Sequence, residues 1–151
     1  MYELKDFQDL KVGDRVSFAK TITEADAALY IAATGDFGPV HIDESFASAT
    51  RFGRRLAPGI MVAGLCTSVL TSELAGIAGV SIEDRFWFTG PVFYGDTVTF
   101  EVWIQEKHDE NRTVVWEASA HKEDGVEVLK ARATLKFPRK RSAPPATGAA
   151  H

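Results

Sequence analysis

The chain has 151 residues, 45% of them hydrophobic and 25% charged, which fits one globular domain with a core of its own. Its net charge of −4 argues against a nucleic-acid partner, and no apolar run approaches the roughly 18 residues a membrane span needs. The one cysteine, Cys66, has no partner for an internal disulfide and reads as a small buried hydrophobe. Because Met1-Tyr2-Glu3-Leu4-Lys5-Asp6 also lacks the basic-then-apolar layout of a signal peptide, the expected compartment is the cytoplasm.

Residues 1–13 read as a lead-in that runs into the turn signal Val12-Gly13-Asp14. From Arg15 to Ile22, Val16, Phe18 and Ile22 are interleaved with polar neighbours, the pattern of an edge strand. Thr23-Glu24-Ala25-Asp26 has the layout of a capping box, so a helix starts there. In that helix Ala25, Ala28, Leu29, Ala32 and Ala33 share one face, which predicts close packing of small residues against another element. Gly35 is placed to end it as a left-handed C-cap.

The next segment, Thr34-Gly35-Asp36-Phe37-Gly38-Pro39-Val40-His41, holds an acid and an imidazole five positions apart between glycines and a proline. Pro39 lacks an amide donor and disfavours helical geometry at Gly38, so the segment reads as a constrained loop and not a helix interior. Such a loop can turn Asp36 and His41 toward one small volume. Imidazole changes its charge near neutral pH, which suits proton transfer. Alone, an Asp followed by a His in such a loop is more often ordinary turn chemistry, since Asp favours turn starts.

A short helix over Glu44 to Thr50 follows, then the basic stretch Arg51-Phe52-Gly53-Arg54-Arg55. Ile60 to about Leu74 is apolar nearly all round, which predicts a helix enclosed by other structure, ended by Gly76 and Gly79. The rest is β: Val80 to Thr89, Thr97 to Lys107 with Val98, Phe100, Val102 and Ile104 alternating, Thr113 to His121, and Glu127 to Phe137. Asp124-Gly125 predicts a tight hairpin between the last two. Phe86, Trp87 and Phe88 should divide between the core and a pocket, since alternate strand residues face opposite ways. His108 and His121 are expected to face solvent without carboxylate partners, and the tail from Arg139 to be disordered. No Gly-rich phosphate loop, Cys/His metal spacing or Gly-x-Ser-x-Gly elbow is present.

The stretch from Tyr30 through Gly35-Asp36-Phe37-Gly38-Pro39-Val40-His41 resembles the hydratase-2 motif of MaoC-like, (R)-specific enoyl-CoA hydratases. That motif runs Tyr, small residues, Gly-Asp-x-Asn-Pro-aliphatic-His. Pro58-Gly59-Ile60-Met61 and the block from Phe86-Trp87-Phe88 through Pro91-Val92 to Gly95-Asp96-Thr97-Val98 are similar to later landmarks of the same family, in the same order. The likeness covers about residues 10–137. It departs at two points: Gly38 stands where the family usually has Asn, and Gly64 where the short hydratases often have Ser.

The resemblance implies an α+β, single hot-dog fold, a curved antiparallel sheet wrapped around a long buried helix. It divides the chain into a domain over 1–138 and a tail over 139–151, and implies a homodimer or higher homo-oligomer. It also implies reversible hydration of a trans-2-enoyl-CoA to the (R)-3-hydroxyacyl form, with Asp36 and His41 sharing the water and no metal or redox cofactor. The Gly59 backbone N–H, at a helix start, would hold negative charge on the thioester oxygen. Arg51, Arg54 and Arg55 are candidates for the coenzyme A phosphates. Rival readings are an acyl-carrier-protein dehydratase or a thioesterase on the same fold, or a non-catalytic acyl-CoA-binding or heterodimer subunit.

Overall fold

The computed structural model of the chain describes residues 6–69 and 79–138. The expectations for Leu74, Gly76 and the tail from Arg139 lie outside the described residues. The lead-in is more than a lead-in. Phe7–Asp9 forms one 3-10 turn capped by Asp6, and Phe7 and Leu10 are buried in the core beneath Lys107 and Arg112.

Strand β1 spans Arg15–Thr21 and helix α1 Glu24–Thr34. The Thr23/Asp26 capping box is formed, and Gly35 ends the helix at φ 74°, a left-handed cap that a side chain would strain. The burial of α1 differs from expectation. Ala27 and Ile31 face inward, while Ala25, Ala28, Ala32 and Ala33 are exposed and Leu29 is 75% exposed. Methyl groups bury little area each, so Ile31 sets the rotation of the helix.

The capping box makes a pH prediction. Hydrogen bonds from the Thr23 hydroxyl (2.7 Å) and backbone N–H (2.9 Å), with Lys20 Nζ at 3.0 Å, hold the Asp26 carboxyl down at about 2, against an ordinary 3.8. Its folded-state pKa is depressed, so Asp26 contributes stability above its unfolded value, and this is lost as pH falls through about 2. Thermal melts of wild type and Asp26→Asn should therefore differ above pH 4 and converge toward pH 2.

Helices α2 (Pro39–Ile42) and α3 (Glu44–Ser48) follow. The Asp–His segment is thus not all loop: Pro39 opens a single helical turn, the one helical place where its missing N–H costs nothing. Helix α4 spans Gly59–Val69, and strands β2 to β5 are Val80–Phe88, Thr97–His108, Thr113–Lys122 and Glu127–Lys136. All pair antiparallel in one sheet ordered β1-β3-β4-β5-β2, with β1 on an edge as its pattern predicts. The β4–β5 connection is a longer turn than Asp124-Gly125 suggests. Lys122 N–H donates to Val126 O, and Gly125 takes φ 80°.

Val98, Phe100, Val102 and Ile104 of β3, Trp116 and Ala118 of β4, and Leu129, Ala131 and Ala133 of β5 form the core with Val62, Ala63 and Cys66 of α4. Burial pushes the Cys66 thiol up to about 12, so it is a packing residue and no nucleophile. The sheet covers only one side of α4, however: Ile60 is 56% exposed. The second edge strand, β2, likewise exposes Val80 (66%) and Ile82 (61%).

Candidate active site

The one-turn helix α2 is too short to persist alone, so its geometry comes from its neighbours. Leu56 N–H donates to Val40 O (3.0 Å), and Ala57 N–H donates to Val92 O (2.9 Å). An isolated bridge joins Leu56 to Phe93. Residues 55–57 thus form a strap between α2 and the 92–94 segment.

That strap fixes the His41 ring, whose Nδ1 lies 2.9 Å from Leu56 O. A carbonyl only accepts, so Nδ1 carries the proton and Nε2 presents a lone pair. The Nε2 side faces Gly38. A β-carbon built on Gly38 would lie 3.1 Å from His41 Cδ2, 3.7 Å from His41 Nε2 and 3.5 Å from Asp36 Oδ1. The imidazole and the carboxylate therefore share one small volume, kept free because residue 38 has no side chain. At φ −55° any residue could adopt its backbone, so the glycine here gives clearance and not conformational freedom. The Asp36 carboxylate makes no hydrogen bond or ion pair among the described residues.

A cavity of about 350 Å³ opens beside His41, walled by Phe52, Leu56, Val62, Phe88, Val92 and Val128. Gly59, the first residue of α4, lines it, and first-turn amides have no acceptor within a helix. The Phe88 ring lies over Gly59, so close that a β-carbon there would sit 3.2 Å from Phe88 Cε1. On β2, Phe86 packs against the core and Phe88 turns to the cavity, while Trp87 faces the opposite groove beside Trp103. Phe86 and Phe88 divide between core and cavity as expected, whereas Trp87, on the opposite face of the strand, reaches neither.

The three arginines part company. Arg51 lines the cavity, its guanidinium 4.7 Å from the Phe52 ring, with no carboxylate partner among the described residues. Arg54 stands 3.6 Å from Asp96 and over Phe93. Arg55 is forked between Glu44 (3.1 Å) and Glu24 (2.5 Å). Neither of these two lines the cavity. Gly64 is exposed on α4, with open space where a β-carbon would go. His108 and His121 correct the expectation of unpaired histidines: both lie near carboxylates, Glu106 at 3.1 Å and Glu127 at 3.8 Å. Glu106 and His108 share a face two residues apart on β3, and the β4–β5 register sets Glu127 opposite His121. No cluster of metal-ligating side chains occurs among the described residues.

Sequence reasoning did not find two groups that shape the site. The Leu56 carbonyl is a backbone atom with no sequence signal. Tyr94, whose hydroxyl donates to His41 O at 3.0 Å, stands within a motif block but is 53 residues away.

A family model described as MaoC like domain matches residues 8–125. The 3-hydroxybutyryl-CoA dehydratase of Methylorubrum extorquens is 37% identical over 92% of this chain and 88% of its own. The (R)-specific enoyl-CoA hydratase of Rhodospirillum rubrum is 33% identical over 87% and 91%. Among solved structures, the (R)-hydratase from A. caviae involved in PHA biosynthesis superposes with a TM-score of 0.82 at 29% identity, over 87% of this chain and 99% of that one. The five-stranded sheet and its helices are thus the hot-dog fold, and the chain belongs to the MaoC-like domain family.

Proposed function

We propose that this protein is a hydro-lyase that reversibly hydrates a trans-2-enoyl-CoA to the (R)-3-hydroxyacyl-CoA, with Asp36 and His41 as its catalytic pair. The observation that supports the reading is the His41 Nδ1 bond to the Leu56 carbonyl, which leaves Nε2 without a protein partner among the described residues, with the imidazole and the Asp36 carboxylate both bordering Gly38. His41 Nε2 takes a proton from water as the water oxygen attacks C3. Asp36 orients that water and relays the proton from His41 to C2, so both groups end as they began and the net change is OH on C3 and H on C2. Charge passes meanwhile to the thioester oxygen, which the Gly59 N–H receives. Such a donor contributes on the order of 10²- to 10³-fold in rate. The steps are addition of the water oxygen to C3 and proton transfers, and they call on no metal or redox cofactor. The names of the curated relatives support both the reaction and its (R) sense.

Arg51 receives a phosphate of the coenzyme A moiety, because it borders the cavity without an internal carboxylate. Arg51→Gln should raise KM for crotonyl-CoA about fivefold, in the range of an exposed charged hydrogen bond. It should leave KM for crotonyl-pantetheine, which lacks phosphate, unchanged. Equal effects on both would remove this role.

A homodimer or higher homo-oligomer fits the apolar surface left by Ile60, Val80, Ile82 and Phe88 around the unpaired edge of β2. A cytoplasmic setting fits the single buried, unreactive thiol. No helix among the described residues is long and apolar enough to cross a membrane.

The test follows the enoyl absorbance of crotonyl-CoA together with free thiol. Loss of absorbance without thiol is the expected result. Thiol release would replace hydration by thioester hydrolysis. Turnover only when the same acyl group is carried on an acyl-carrier protein would move the reading to that class of dehydratase.

A further inference from the structure

The fixed position of His41 poses a physical problem that its own helix cannot solve. Helix α2 has four residues, and its last carbonyls have no acceptor role within it. Two of them are satisfied from elsewhere. Val40 O accepts from Leu56 N–H at 3.0 Å and His41 O from the Tyr94 hydroxyl at 3.0 Å. The histidine is therefore held at both ends, its ring by the Leu56 carbonyl and its main chain by Tyr94. Leu56 and Phe93 are themselves bridged, so the hold closes on itself: His41 ring, Leu56, Phe93, Tyr94, His41 backbone.

Tyr94 is held in turn. The Arg55 guanidinium stands 5.4 Å from the Tyr94 ring centroid, within cation–π range. Arg55 cannot swing away, because Glu44 Oε2 at 3.1 Å and Glu24 Oε1 at 2.5 Å grip it from α3 and α1. These carboxylates also raise the Arg55 pKa, and burial raises that of the Tyr94 phenol, so the hydroxyl stays protonated and able to donate. An arginine that the sequence offers as a coenzyme A ligand is thus committed inside the fold.

We infer that Tyr94 and Arg55 are positioning residues for His41: Tyr94 anchors the histidine's backbone carbonyl, and Arg55 anchors Tyr94. Neither touches the reacting atoms. Their role is to keep His41 Nε2 pointed at the volume shared with Asp36, where small displacements of a proton-transferring group are costly in rate. The inference rests on His41 being the catalytic base.

The test is a kinetic series on the full chain with crotonyl-CoA. Tyr94→Phe keeps the ring and its packing and removes only the donor. It should lower kcat about three- to tenfold, the factor expected for one hydrogen bond, with KM within about twofold and the melting temperature little changed. Arg55→Met should lower kcat by a similar factor in wild type and by clearly less in the Tyr94→Phe background, because the two act through one bond. A merely structural role predicts lower melting temperatures with kcat per folded molecule unaltered. Wild-type kcat in Tyr94→Phe, or fully multiplicative losses in the double variant, would overturn the inference. His41→Ala, run in parallel, separates the two levels. If it keeps the wild-type kcat, the catalytic reading itself fails; if it loses turnover while Tyr94→Phe keeps the wild-type kcat, only the positioning role falls.

Discussion

His41→Ala lowers kcat for enoyl-CoA hydration by about 10²- to 10⁴-fold, the span of general acid–base contributions, and leaves the fold intact. The size follows from the way the ring is used. Its Nδ1–H is committed to the Leu56 carbonyl, so Nε2 is the one nitrogen free to accept a proton, and no second imidazole borders the cavity. The ring is half-buried and contributes no residue to the main core, so its loss costs stability little. KM should move far less than kcat if, as proposed, the cavity walls and Arg51 hold the thioester. Steady-state kinetics beside a thermal melt checks both halves. An equal fall in kcat and in folded fraction would mean that the effect is structural.

Asp36→Asn has the second-largest expected effect, about 10²-fold in kcat, at the low end of the same span. The amide keeps the shape and can still hydrogen-bond to water, but it cannot return a proton to C2. The carboxylate has no internal partner among the described residues, so nothing in the fold is left unpaired by the change. Because Asp36 and His41 act on one water, their losses should not multiply. The double variant should sit close to His41→Ala alone, as groups acting as a unit do. A double variant slower by the full product of the single factors would separate the two residues into independent roles.

How far the sequence reached depends on whether the determinant was local. The Thr23/Asp26 box and the Gly35 cap are fixed within a few residues, and both stand as expected. Alternation in β3 and across Phe86, Trp87 and Phe88 announced which side chains face inward. The Asp36/His41 spacing between Gly35 and Pro39 announced a shared volume, although the single turn of α2 that carries His41 was hidden behind Pro39.

What was not legible depends on partners far along the chain. Arg51 and Arg55 are alike as residue types. Only the arrival of Glu24 from α1 and Glu44 from α3 assigns Arg55 to the fold and leaves Arg51 at the cavity. The inward face of α1 was misjudged because alanine spacing marks a face without saying which face carries more buried area; Ile31 decided it. Helix α4 is apolar all round, yet the sheet covers one side only, and Ile60 stays exposed. An unbroken apolar helix can be enclosed by its own chain or by a second copy, and periodicity does not tell these apart.

The central claim is that water activated between Asp36 and His41 adds to C3 of an enoyl thioester. The most direct test incubates crotonyl-CoA with wild type and with His41→Ala in ¹⁸O-labelled water and locates the label by mass spectrometry. For wild type the label should appear in the 3-hydroxyl group of an intact coenzyme A thioester, and His41→Ala should incorporate it about 10²- to 10⁴-fold more slowly. Label in a released carboxylate, or equal incorporation by both proteins, would contradict the claim.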